Sequence, residues 1–207
     1  MAMHEDAMQM STGARLGKRL LDIVVAVVGL LLTWWIIIIV AVIARMDTGN
    51  SGFFVQSRIG RHGKPFKLYK IRTMKTSETP QSTVTTILDQ RVTRSGRIFR
   101  RTKLDELPQL FNVLIGDMSL VGPRPDVAGF ADTLTGEARA ILSLRPGITG
   151  PATLRYRNEE VLLATVADPE AYNRDVIFPD KVRINMDYIR NYSLCGDIKY
   201  LVRTIFC

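Results

Sequence analysis

The sequence predicts a mainly helical α+β protein held at a membrane, and three observations lead there. Ile23 to Ala44 is a run of 22 residues without a charge. Two strand-like segments, Phe53–Ile59 and Phe66–Met74, flank a turn-forming stretch at 60–65. From residue 94 onward apolar side chains recur mainly at helical spacing. The expected architecture is an N-terminal membrane helix over 15–46, a small β-hairpin, and amphipathic helices lying at the interface, with 47–207 forming one domain.

At about 1.5 Å per residue the uncharged run covers the ~30 Å hydrocarbon layer. Two other readings carry less weight. A domain this small rarely encloses a helix apolar on every side, and the run exceeds the usual ~7–15-residue core of a secretory signal. Arg15, Lys18 and Arg19 precede the run, while Arg45, Arg58, Arg61, Lys64 and Lys67 follow it. A crossing helix would leave one basic flank outside, so the flanks favour a re-entrant helix with both ends on the cytoplasmic face. Gly29 and Thr33, beside Trp34-Trp35, are the candidates for a bend.

Composition narrows the partner classes. Of 207 residues 46% are hydrophobic, which excludes a disordered chain, and two cysteines, Cys195 and Cys207, exclude a disulfide scaffold. Free thiols point to a reducing compartment. The net charge of +8 calls for an anionic partner: nucleic acid, an anionic membrane or a phosphorylated substrate. The surplus is local, because 55–103 holds thirteen Lys/Arg against two acids, whereas 104–207 holds eleven against fourteen.

Along the chain, the Met-rich residues 1–14 read as a disordered tail, and 75–88, rich in Ser and Thr, as a polar loop. Arg94, Arg97 and Arg101 share a helical spacing suited to an anionic surface. The next helix takes Asp105 as N-cap, Pro108 in its first turn, an apolar stripe of Leu107, Leu110, Phe111 and Leu114, and Gly116 as its stop. Helix signals follow near 136–144, 159–166, 169–175, 180–190 and 195–206.

The candidate chemistry sits at Asp105-Glu106, directly after Arg97, Arg100, Arg101 and Lys103. Adjacent carboxylates at a positive helix end can hold a hard cation such as Mg²⁺ and attack phosphorus, with arginines gripping phosphate oxygens. Acidic pairs also cap helices without any catalytic role, so the dyad by itself leaves both readings open.

The stretch from Asp89 to Pro125, containing Leu104-Asp-Glu-Leu-Pro-Gln-Leu110 and Gly122-Pro-Arg-Pro125, closely resembles the bacterial sugar transferases, the monotopic polyprenyl-phosphate phosphoglycosyl transferases. The likeness extends over roughly 16–206 and includes Phe54-Val-Gln-Ser-Arg-Ile-Gly60, Phe66-Lys-Leu-Tyr-Lys-Ile-Arg-Thr-Met74, Leu144-Arg-Pro-Gly-Ile-Thr-Gly150 and Asp187-Tyr-Ile-Arg-Asn-Tyr-Ser193. What the resemblance implies is a cytosolic-face active site at the bacterial inner membrane. There a sugar 1-phosphate passes from a UDP-sugar to undecaprenyl phosphate, with release of UMP, as the first membrane step of glycoconjugate assembly. Asp105 would be the nucleophile of a phosphosugar-aspartyl intermediate and Glu106 the Mg²⁺ ligand, with Arg72, Arg100, Arg124 and Arg145 as phosphate contacts. Membrane lipids are implied partners, and a homodimer is left open.

Two stretches depart from the family pattern. Trp34-Trp35 stands where many members carry Ser-Pro, the source of the bend in their membrane helix, and 151–157 replaces a stretch usually containing Ala-Gln and Gly-Arg, so the sugar preference stays open. The rival readings are a non-enzymatic module binding anionic lipid or nucleic acid through 55–103, and a two-substrate transferase with no covalent intermediate. Nucleic acid is disfavoured as a partner, because the basic region lacks a binding motif and directly follows the lipid segment.

Overall fold

The computed structural model describes residues 11–76, 86 and 89–206. Most of the expected tail and most of the polar loop at 75–88 lie outside them. The first element, α1, spans Thr12–Thr48 in 37 residues. Its first turns therefore take in residues assigned to the tail. Ser11 caps it, the hydroxyl accepting from the Ala14 N–H at 3.2 Å. Gly49 ends it in the left-handed region, φ 72°. Thr33 donates its hydroxyl to the Gly29 carbonyl at 2.7 Å, a bond that lies within the helix.

One face of α1 is packed and the other is bare. Lys18, Asp22, Ala26, Val40, Ala41, Ala44 and Thr48 are buried, an i, i+3/i+4 stripe broken only where partly buried residues take over near the middle. Outward stand Val24, Leu31, Leu32, Trp34, Trp35, Ile38, Ile39 and Val42, each at least half exposed. A surface of this kind in a helix this long belongs against lipid.

The hairpin forms as expected. β1 (Phe53–Ile59) pairs antiparallel with β2 (Pro65–Ile71), Phe53 opposite Ile71 and Ile59 opposite Pro65. Gly52 lies so close under α1 that an added Cβ would meet the Ala41 backbone, which ties the hairpin to the end of the helix. α2 (Arg94–Thr102) follows, capped by Thr93. α3 (Gln109–Ile115) then ends at Gly116, φ 100°. Leu110 and Leu114 of the predicted stripe enter the core, whereas Phe111 faces outward and touches Tyr69 edge-on.

A second sheet was not anticipated. β3 (Ser119–Val121) pairs in parallel with β4 (Gly147–Thr149). The helical region after β4 comprises α4 (Pro151–Arg155), α5 (Glu159–Leu163), α6 (Pro169–Tyr172), α7 (Phe178–Arg190) and α8 (Leu194–Phe206). The segment expected as a helix near 136–144 is a 3₁₀ stretch, Gly136–Ser143.

Two apolar clusters hold the body to α1. One joins Ala26 to Val113, Met118, Leu120, Val121, Tyr188 and Ile189. The other joins Val40, Ala41 and Ala44 to Ile71 and Phe99, with Leu104 packed on it. Polar contacts pin both ends as well. Lys18 meets the buried Asp197 at 2.6 Å, and Asp47 accepts from the Ser95 hydroxyl at 2.6 Å.

Removing one member of a buried ion pair strands the other charge. Asp197→Asn is therefore expected to destabilise the fold by about 3 kcal/mol, read as a lower melting temperature in neutral detergent. The Lys18→Met/Asp197→Leu double variant should lose less than the single one, and an equal or larger loss would show that the pair does not hold α1.

Candidate active site

The dyad sits on a sharp corner. α2 ends at Lys103, which adopts the left-handed conformation at φ 59°, uncommon for a residue with a Cβ. A 3₁₀ turn, Leu104–Glu106, follows at once, and Pro108 rather than Asp105 precedes the first residue of α3. Asp105 is therefore not the cap the sequence predicts. It is 6% exposed and its Oδ1 is buried with no hydrogen-bond partner.

Glu106, 8% exposed, is gripped from two sides. Its Oε1 accepts from Arg124 Nη2 at 2.9 Å and from Lys70 Nζ at 3.4 Å. Burial opposes its ionisation, but the charges of Arg124, Lys70 and Lys103 outweigh burial and hold the carboxyl far below the usual range. Asp105 goes the other way. Burial and then the charge of Glu106 push its carboxyl up, against the pull of Lys70, Lys103 and Arg100. Of two neighbouring acids, one is a fixed anion and the other an unpartnered, more basic one.

Each cation is placed by scaffolding elsewhere. Lys70 belongs to β2, whose edge is held by Asn112, a fully buried side chain of α3. Asn112 donates to the Lys67 carbonyl at 2.7 Å and accepts from the Tyr69 N–H at 3.1 Å. Arg124 lies between Pro123 and Pro125 in the loop after β3. That loop is pressed against β4, since a Cβ on Gly147 or Gly150 would run into Gly122. Gly122 N–H donates to Thr149 O at 2.9 Å and Gly147 N–H to Pro123 O at 2.7 Å. The Arg-Pro-Gly-Ile-Thr-Gly stretch thus holds the loop that presents Arg124.

Of the predicted phosphate contacts, Arg124 is in the site and Arg100 beside it, its guanidinium 3.3 Å from Glu160. The other two are elsewhere. Arg72 donates to the Ser51 carbonyl at 2.8 Å and lies over the Phe54 ring. Arg145 donates Nε–H to the Gly116 carbonyl at 2.8 Å. Lys70 and Asn112 are not among the residues the sequence singles out. Lys70 was detectable as a charge two positions after Leu68, on the face of β2 that packs into the core.

A half-enclosed pocket adjoins Arg124, lined among others by Ile59, Pro123, Asp126, Phe178 and Lys181. Asn185 also lines it, and its Oδ1 is buried without a partner. Among the described residues no group of three or more His, Cys, Asp and Glu side chains gathers for a metal. The two carboxylates, one carrying an unpartnered buried oxygen, suit a cation that completes its shell with water and phosphate oxygens, as Mg²⁺ does.

Residues 13–207 match the family model described as bacterial sugar transferase. The chain belongs to the bacterial sugar transferase family. It is 37% identical over 189 residues to the uncharacterized sugar transferase EpsL of Bacillus subtilis, covering 91% of this chain and 85% of that protein. It is 37% identical over 197 residues to the UDP-glucose:undecaprenyl-phosphate glucose-1-phosphate transferase of Caulobacter vibrioides, covering 92% and 68%. An N-acetylgalactosamine-phosphotransferase of Aeromonas hydrophila is 34% identical over 194 residues, covering 91% of this chain but 42% of its own length. As a sugar transferase with a long apolar helix, the chain is a membrane-associated enzyme.

Burial pushes the Asp126 carboxyl up to about 6, with Lys181, Arg58 and Arg124 pulling against it. An unfolded aspartate titrates near ~3.9. The folded sugar transferase therefore keeps a proton that the unfolded chain releases between those values, and this group's contribution to stability falls as pH rises through the window. The melting temperature of Asp126→Asn relative to the parent should accordingly rise between pH 4.5 and pH 7. A difference independent of pH would show that Asp126 titrates normally.

Proposed function

We propose that this enzyme moves a sugar 1-phosphate from a UDP-sugar to undecaprenyl phosphate, with Asp105 as nucleophile. The observation that carries the reading is the unpartnered, buried Asp105 carboxylate beside a Glu106 already neutralised by Arg124 and Lys70. Substrate names borne by the relatives support the donor and acceptor classes.

In the first step an Asp105 oxygen bonds to the sugar-bearing phosphorus, and the bond from that phosphorus to the bridging oxygen breaks. UMP leaves with that oxygen and its electron pair. In the second step a phosphate oxygen of undecaprenyl phosphate attacks the same phosphorus and releases the Asp105 carboxylate, giving the lipid diphosphosugar. No net proton is required between ionised groups. Arg124 and Lys70 place positive charge where the phosphoryl oxygens crowd, and their hold on Glu106 keeps that residue from competing as nucleophile. Glu106, with Asp105 beside it, is the residue to hold Mg²⁺, which when bound supplies further neutralisation of phosphate charge.

Phosphate-labelled nucleotide sugar incubated without lipid should leave label on the denatured protein, and Asp105→Asn should abolish both label and UMP release. Turnover surviving in Asp105→Asn would defeat the covalent reading.

The contacts of α1 support a re-entrant arrangement. Both ends of the helix touch one body, through Lys18–Asp197 and Asp47–Ser95. We infer that both ends stay on the cytoplasmic face. In a chain with Cys195 and Cys207 replaced by Ser, single cysteines at Leu20 and at Ser51 should both react with an impermeant thiol reagent only after the cytoplasmic side is opened. Labelling of either in intact cells would mean that the helix crosses.

A further inference from the structure

The N-terminal turns of α1 form one wall of a second pocket, separate from the dyad. Arg15, Lys18, Arg19, Arg61 and Arg145 line it, with Asp22 as its one acidic member. Lys18 is matched by Asp197, and Asp22 is turned to the Ser119 hydroxyl and the Leu120 N–H, at 3.0 and 2.9 Å. Arg19, Arg61 and Arg145 are held differently. Arg19 donates to Val113 O at 2.7 Å and Leu114 O at 3.0 Å, Arg61 through Nε–H to Ser143 O at 2.8 Å, and Arg145 through Nε–H to Gly116 O at 2.8 Å.

Carbonyl oxygens orient a guanidinium without cancelling its charge. They leave the terminal amino groups of Arg61 and Arg145 with no hydrogen bond among the described residues. Burial, then the neighbouring Arg19 and Arg61, disfavour the charged form of Arg145. Like charges crowded in one pocket and fixed by neutral partners are arranged for an anion that takes them bidentately.

We propose that this pocket binds a phosphate group, supplied by an anionic phospholipid. Its depth favours the lipid as source. Arg15, Lys18 and Arg19 lie within two turns of Ile23, where the uncharged run begins. On the same turns Leu16 and Leu20 are 72% and 64% exposed, giving acyl chains an apolar surface beside the cations. A free phosphate would use the arginines alone. The site thus anchors the start of α1 at headgroup level and takes up Arg145, whose charge the dyad does not use.

The test titrates the purified full-length chain in neutral detergent, by calorimetry, with dioctanoyl phosphatidylglycerol and separately with inorganic phosphate. Arg61→Gln/Arg145→Gln is compared with the charge-matched surface control Arg174→Gln/Arg183→Gln. Loss of two charged hydrogen-bond partners should weaken binding at least about tenfold in the first pair and leave the control near the parent. Should the glutamine variant melt early, Arg61→Lys/Arg145→Lys keeps the charge, loses the forks and should show a smaller, still measurable loss. Sensitivity to the pocket variants with the lipid bound more tightly than phosphate supports the proposal; phosphate bound more tightly than the lipid overturns the lipid as source. Binding equally reduced by both glutamine pairs, or changed by neither, overturns it.

Discussion

Two carboxylates on consecutive residues cannot both be buried unless positive charge is brought to them, because each disfavours the ionised form of the other and water is no longer there to help. Here the charge comes from two distant parts of the chain, Lys70 on the hairpin and Arg124 on the loop after β3, and both meet the same oxygen of Glu106. Much of the architecture serves that meeting. Asn112 ties β2 to α3, the helix that follows the dyad. The glycines at 122, 147 and 150 let two backbones approach closely enough to fix the Pro123-Arg124-Pro125 loop. Asp105, left out of this neutralisation, keeps its free oxygen because the positive charge is directed to its neighbour.

The parts of this arrangement that were legible in the sequence are those set by local chemistry. Two strand-like segments on either side of a Gly/Pro-containing turn marked the hairpin. The spacing of Arg94, Arg97 and Arg101 marked α2, Gly116 marked the end of α3, and amphipathic spacing marked α8 nearly to its ends. What escaped detection depends on long-range packing. β3 and β4 are three residues each and largely buried, so neither alternates, and their pairing joins segments 26 or more residues apart. Asp105 reads as a cap because Asp is a favoured capping residue and Pro108 falls within the turn that follows it. The left-handed Lys103 turned it into a corner instead. Arginines posed the same difficulty twice. Arg72 and Arg145, which the family resemblance marks as phosphate contacts, have side chains engaged by carbonyls of Ser51 and Gly116. A motif records that a residue matters and not which face it serves.

The membrane helix and the corner are not independent attachments. Leu104, the residue before Asp105, packs against the apolar cluster formed by Val40, Ala41 and Ala44 of α1, Ile71 of β2 and Phe99 of α2. The inner face of α1 is rich in alanine there, which lets the body come close, while the opposite face carries Ile38, Ile39 and Val42. A carboxylate one residue from that contact cannot drift away from the lipid without unpacking the cluster. In the reaction proposed above, whose acceptor keeps its phosphate at headgroup level and its chain in hydrocarbon, a carboxylate held at a fixed height need not reach for its partner. Packing of Leu104 on α1 sets that height directly, and the 3₁₀ turn is short enough that little slack intervenes.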